Sequence, residues 1–225
     1  ADKDWKYALE TVNAGLEKQP ENVLLLVEKG KLLAAMDKLD KAEATFQTVI
    51  DVRPENPAGY IELGKLKRAT SDYEKAITLF KKALQLNGTN KRALALLLET
   101  YVGTNRADEA ESLCRRMLEE TPEDAFLLTS LGSILTRQGQ YKEAEERLKA
   151  AIQVSPEWER PHYELVSLYA ATNRLKEAAN NLKEMYADKK ESLRIGFTLS
   201  VIYQKLGDYD RAMTTLETLI EHHPD

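Results

Sequence analysis

Sulfur and imidazole are scarce in this sequence, whose 225 residues include one cysteine and three histidines. A lone thiol, Cys114, excludes an intrachain disulfide and a thiolate metal cage. Histidines at His162, His222 and His223 leave few candidates for imidazole acid–base work. No apolar run approaches the roughly 18 residues that a membrane-spanning helix needs, so direct membrane insertion is not expected. The stretch Ala1 to Glu10 is too charged to read as a secretory leader. A soluble segment is expected, cytoplasmic or periplasmic. Basic charge is not in excess either: 32 Lys and Arg against 37 Asp and Glu give a net charge of -5, which speaks against a nucleic-acid partner. Carboxylates are plentiful, but each has a solvated-face or helix-pairing explanation. No enzyme, no cofactor and no metal are therefore expected.

What the sequence does have is order at long range. Alanine recurs every 34 residues, at Ala8, Ala42, Ala76, Ala110, Ala144, Ala178 and Ala212. Twelve residues later a second column reads Pro20, Pro54, Gly88, Pro122, Pro156, Lys190 and Pro224. A constant period of this length, with small and helix-breaking residues at fixed phases, means one supersecondary unit stacked on copies of itself.

Between the breaker columns the apolar residues keep helical spacing, as in Leu127, Leu128, Leu131, Ile134 and Leu135, then Tyr141, Ala144, Leu148, Ala151 and Ile152. Each unit is read as two helices joined by a short turn, with Asn105, Gly139, Asn173 and Gly207 supplying left-handed or tight backbone. Units begin at Val23, Pro57, Lys91, Ala125, Glu159 and Leu193, giving repeats 23–56, 57–90, 91–124, 125–158, 159–192 and 193–225; residues 1–22 form the second helix of a partial repeat. The expectation is a single all-α solenoid of about 13 helices, made of stacked antiparallel helix pairs. The close helix crossing admits only a methyl group at the alanine phase. Gly30, Gly64 and Gly132 stand at the matching contact on the first helix, replaced elsewhere by Leu98, Val166 and Ser200.

This pattern resembles the tetratricopeptide repeat family, through Tyr60, Leu63, Gly64, Ala76, Phe80 and Ala83 in one unit and Leu128, Leu131, Gly132, Tyr141, Ala144, Ala151 and Pro156 in another. The resemblance covers essentially the whole chain and implies a right-handed superhelix whose first helices line a concave face. It also implies that ligand contacts come from set phases of those helices. Carried over, these phases give a peptide-binding set: Lys31, Ile61, Lys65, Arg68, Arg92, Leu96, Phe126, Arg160, Tyr163, Arg194, Phe197 and Val201. The full lining counts eight basic residues, with Arg137 and Lys205 added to those named, against the four acids Glu28, Glu62, Glu99 and Glu164. Such a surface favours a partner of acidic character. Chaperone-binding members of the family use a carboxylate clamp with lysine at the fifth position of a unit; here that position is Val27, Ile61, Ala95, Thr129, Tyr163 or Phe197, so that clamp is not expected.

Four features look chemical and are read as structural. Gly59 to Lys65 has the spacing of a phosphate-binding loop, but Leu66 stands where a metal-binding hydroxyl is required and the register places the stretch in a helix. His162 sits at a packing phase, Cys114 in the column of Phe46, Phe80, Leu148, Leu182 and Leu216, and Asn87-Gly88-Thr89 in a turn between units.

The expected function is a protein–protein interaction scaffold that binds a peptide or protein segment on its concave face. Regular repeats without insertions are the style of bacterial scaffolds, including envelope and export assemblies, which extends the expectation by analogy. The alternative is a structural spacer or a segment that self-associates through apolar ends, because Met213, Leu216, Leu219 and Ile220 have no following unit to cover them and no polar cap is present. On the same ground the 225 residues are expected to be part of a longer protein.

Overall fold

The computed structural model describes residues 2–188 and 192–223; the Lys190 and Pro224 positions of the breaker column lie outside the described residues. Among the described residues there are thirteen α-helices and no strand. A leading helix, α1 (Asp2–Lys18), precedes six helix pairs. The first helices are α2 (Val23–Ala35), α4 (Pro57–Ala69), α6 (Lys91–Gly103), α8 (Ala125–Arg137), α10 (Glu159–Ala171) and α12 (Leu193–Lys205). The second helices are α3 (Leu39–Val52), α5 (Tyr73–Leu86), α7 (Ala107–Glu120), α9 (Tyr141–Val154), α11 (Leu175–Asp188) and α13 (Tyr209–His222). The chain divides into two compact units, Ala1–Arg106 and Ala107–Asp225.

Local chemistry starts and stops these helices at the same phase each time. Asn22, Asn56, Asn90, Asp124 and Ser192 each accept a hydrogen bond from a backbone N–H in the first turn of the helix that follows. One such cap is worth about 1 kcal/mol. At the other end, the residue after each first helix's cap has positive φ: Asp37 (57°), Ser71 (63°), Asn105 (60°), Gly139 (76°), Asn173 (57°) and Gly207 (75°). The next amide then reaches back to a carbonyl in the last turn, as Lys38 N–H does to Leu33 O at 2.9 Å and Gln140 N–H to Leu135 O at 2.9 Å. This left-handed closure satisfies carbonyls the helix leaves orphaned and reverses the chain within three residues. The turn column thus extends to Asp37 and Ser71, which carry no glycine.

The core lies between the two helices of each pair. Ala42, Ala76, Ala110, Ala144 and Ala178 are fully buried and Ala212 nearly so. Opposite them the first helix approaches so closely that a Cβ on Gly30 would sit 2.3 Å from the Phe46 ring, on Gly64 2.6 Å from Phe80, and on Gly132 2.6 Å from Leu148. In α12, where Ser200 stands at the glycine phase, the close approach moves one turn back to Gly196, whose Cβ would lie 2.7 Å from Leu219. That contact corrects one expectation. Leu219 is buried against α12, leaving Met213 and Ile220 as the exposed members of the α13 stripe and Leu216 half-buried.

The chemical-looking motifs resolve as read. Gly59 to Lys65 lies within α4. His162 is buried, with Nε2 3.3 Å from the Pro156 carbonyl. Cys114 is fully buried, and burial pushes its thiol up to about 12, so it stays protonated. The Asn87 side chain accepts from Thr89 N–H at 3.1 Å, a local turn.

Candidate functional site

The expected ligand-contacting residues fall on the first helices, and the two units treat them differently. In the first unit the charged ones are tied to acids of the same face. Lys31 bonds Glu28 at 2.7 Å, Lys65 bonds Glu62 at 2.7 Å, Arg92 bonds the other Glu62 oxygen at 2.8 Å, and Arg68 bonds Glu99 at 2.8 Å. Glu62 is only 5% exposed and links α4 to α6. The apolar candidates there are recessed. Ile61 is buried with Ala83 and Ala93 and belongs to the core, because α4 lies against both α2 and α6; Leu96 is half-buried beside it.

In the second unit the same phases open outward. α10 lies against α8, whereas α10 and α12 are joined through α11 and meet through the Arg194 side chain on the Tyr163 ring rather than by close backbone approach. A cleft of about 550 Å³ lies there, lined by Glu157 and Trp158 from the turn before α10, by Glu159, Arg160, Tyr163 and Glu164 from its start and by Arg194 from α12. Phe126 on α8 stacks on Trp158, ring centres 6.4 Å apart and planes inclined by 24°. The Arg194 guanidinium lies 3.9 Å above the Tyr163 ring, a cation–π contact that also fixes the ring. Arg160 stands 3.9 Å from Glu164. The Tyr163 hydroxyl is buried without a partner among the described residues, and burial, with Glu159 adding to it and Arg194 opposing, raises its pKa. One helix further, Phe197 (53% exposed) and Val201 (46% exposed) stand a turn apart on α12.

The structure thus brings together Arg160, Tyr163 and Arg194 around one cleft, with Phe126 behind it on Trp158 and Phe197 and Val201 following on α12. It adds a residue absent from the expected set, Trp158. The capping column explains both why it was missed and how it could be found. Asn22, Asn56, Asn90, Asp124 and Ser192 recur at 34-residue steps, and Trp158 alone breaks the series with a side chain that forms no cap. Thr129, by contrast, sits at the phase of Tyr163 and Phe197 but is buried, its hydroxyl donating to Ala125 O.

Two ion networks hold the second helices of this unit. Arg115 clasps Glu143 with two bonds of 2.8 Å, and Arg147 adds a third contact; Arg174 bonds Glu145 at 2.6 Å, with Lys149 and the Tyr169 hydroxyl on the same carboxylate. Hydrogen bonds from Arg115 hold Glu143 at about 2, and those from Arg174 hold Glu145 at about 2. Among the described residues no group of His, Cys, Asp and Glu could hold a metal ion, and no helix is long and apolar enough to cross a membrane.

Two family models, each described as tetratricopeptide repeat, match the chain, one over residues 67–131, 135–180 and 171–225 and the other over 27–90. Among solved structures, a tetratricopeptide repeat protein from Parabacteroides merdae superposes with a TM-score of 0.67 at 17% identity, covering 99% of this chain and 88% of that one. TTC0263, a thermophilic TPR protein of Thermus thermophilus, gives 0.54 at 24% identity over 75% of this chain and 92% of its own. YrrB, a TPR protein with an unusual peptide-binding site, gives 0.50 at 18% identity over 97% and 95%. No curated protein matches the sequence significantly.

Proposed function

Because the chain belongs to the tetratricopeptide repeat family, whose fold generally mediates protein–protein interaction, we propose that it is an interaction scaffold whose second unit binds a peptide segment of another protein. The observation that carries this reading is the cleft between α10 and α12, with its half-buried aromatic rings and the exposed pair Phe197 and Val201 beyond it. Solvated apolar rings on a rigid helical frame gain by being covered, and they lose little side-chain entropy when they are. Phe126, Tyr163 and Phe197 act as anchors and Arg160 and Arg194 as orienting charges. Proteins of this family are typically non-enzymatic scaffolds, and the proposed action has no catalytic step.

The test is capture of partners from the source lysate by the parent chain and by a Phe126→Ala, Tyr163→Ala, Phe197→Ala variant matched for helicity by circular dichroism. Partners retained by the parent and lost by the variant support the assignment; equal retention sinks it. A second reading, self-association, is favoured by Met213 and Ile220, which are 62% and 67% exposed on α13. Sedimentation settles it: oligomers that vanish in Met213→Asp, Ile220→Asp support that reading, and a concentration-independent monomer removes it.

A further inference from the structure

Trp158 occupies the position at which five other first helices carry the residue that caps them, and α10 has no side-chain cap. The helix is adapted to that loss. Leu25, Ala93, Leu127 and Ile195 give the third amide of their helices to a cap, and the corresponding residue of α10 is Pro161, which has no N–H to satisfy. Two linked departures from the repeat therefore free position 158 from its helical duty. The side chain placed there is one of only two tryptophans in the chain; it stacks on Phe126 and lines the cleft with Tyr163 and Arg194.

We infer that Trp158 is the specificity-determining residue of the cleft, and that it takes a ring-bearing side chain, aromatic or proline, of a peptide segment whose neighbouring carboxylate pairs with Arg194. This rests on the peptide-binding reading above. The ring preference follows from geometry: Trp158, its ring steadied by stacking on Phe126 at 6.4 Å, lines the cleft, and offset stacking of a second ring on an indole is favourable. The carboxylate follows from charge. Arg194 spends one face on Tyr163 and makes no ion pair among the described residues, which leaves its in-plane N–H donors for a carboxylate. Glu157, Glu159 and Glu164 border the same cleft and outnumber its two arginines, Arg160 and Arg194, so the segment carries one carboxylate near its ring rather than an acidic stretch.

The experiment uses the full chain with Trp5→Phe, which leaves Trp158 as the sole tryptophan, and a phage-displayed library of random 12-residue peptides as the probe. Enriched peptides should carry an aromatic residue or proline next to a single Asp or Glu, and as synthetic peptides they should shift Trp158 emission. Trp158→Ala should weaken them at least tenfold and Trp158→Phe by about threefold or less. Replacing the peptide Asp by Asn should cost the parent about fivefold and Arg194→Gln nothing further. Trp158→Asn separates anchor from scaffold: it can cap α10 through the Arg160 N–H, so it should melt above Trp158→Ala by about 2–4 °C yet bind no better. Recovery of binding along with melting would show that Trp158 acts through helix stability and would overturn the inference. Peptides that bind Trp158→Ala as tightly as the parent, while Tyr163→Ala loses them, would also overturn it and leave the peptide-binding reading standing. Failure to enrich any peptide would bring down both.

Discussion

The first unit closes its first-helix face on itself, and the second leaves the same face open. In the first unit four basic residues at the lining phases, Lys31, Lys65, Arg68 and Arg92, meet three acids, and all four are ion-paired. At the same phases the second unit sets Arg137, Arg160, Arg194 and Lys205 against Glu164, with Glu157 and Glu159 bordering the cleft beside them. Where the first unit places Ile61 in the core, the second buries Thr129 but leaves Tyr163 half-buried at a cleft and Phe197 at the surface. The helix pairs are alike in length and turn geometry, so the difference lies in the side chains they carry and in how closely successive first helices stand. One repeat can serve packing in one place and recognition in another because only about half its positions are committed to the core.

The sharpest break of this comparison is in binding. Alanine at Phe126, Tyr163 and Phe197 together should lower partner affinity by about 100-fold, about 2.7 kcal/mol, measured by calorimetry with a captured partner. Alanine at Lys65 and Arg92 should change it by less than about threefold, since those cations are already engaged with Glu62. An equal loss from both variants would mean that the units share the work.

Next comes the core. Gly30→Ala drives a methyl into the rigid Phe46 ring at 2.3 Å, whereas Gly132→Ala meets the flexible Leu148 at 2.6 Å. Overpacking costs about 1–3 kcal/mol and alanine returns about 1 kcal/mol of helix propensity. Gly30→Ala should therefore lose up to about 2 kcal/mol in urea unfolding and Gly132→Ala clearly less. Near-equal losses would show that both crossings yield to the same degree.

The turns give a smaller effect of opposite sign in the two units. Ser71 holds φ at 63° with a Cβ, and Gly139 holds 76° without one. Ser71→Gly should raise stability and Gly139→Ala lower it, each by about 1 kcal/mol in the same assay. A loss in Ser71→Gly would mean that its hydroxyl compensates the strain.

Acid should act on the second unit through Glu143 and Glu145. Their carboxylates sit at about 2 in the fold against an ordinary 4.5, so more protons bind to the unfolded chain across that interval. Their contribution is full above pH 4.5 and disappears as pH falls through 2. Melting temperature should drop over that range, and Glu143→Gln with Glu145→Gln should flatten the slope. An unchanged slope would assign the acid sensitivity to other carboxylates.

Much of the fold was legible because its determinants are local or periodic. The alanine and breaker columns give the pairing of helices, and the unit starts Val23, Pro57, Lys91, Ala125, Glu159 and Leu193 are where the first helices begin. Leu219 was misplaced because its burial depends on Gly196, a contact shifted by one turn from the repeat's usual phase. Ile61 was read as ligand-facing because phase alone cannot tell how closely neighbouring first helices stand. Trp158 went unseen since it lies outside the phases carried over from the family, although the break in the capping column marks it.

By itself the sequence determined the repeat, its helices and the buried methyl at each crossing. These follow from backbone hydrogen bonding, caps and apolar period, which act within a few residues or between adjacent helices. Only the tertiary structure decided which of the repeated faces is free. That depends on the distance between helices about 34 residues apart, on whether Glu62 reaches both Lys65 and Arg92, and on the opening between α10 and α12 that leaves Trp158, Tyr163 and Arg194 around a cleft. Spacing of that kind is set by the summed packing of several helices, and no single phase of the sequence encodes it.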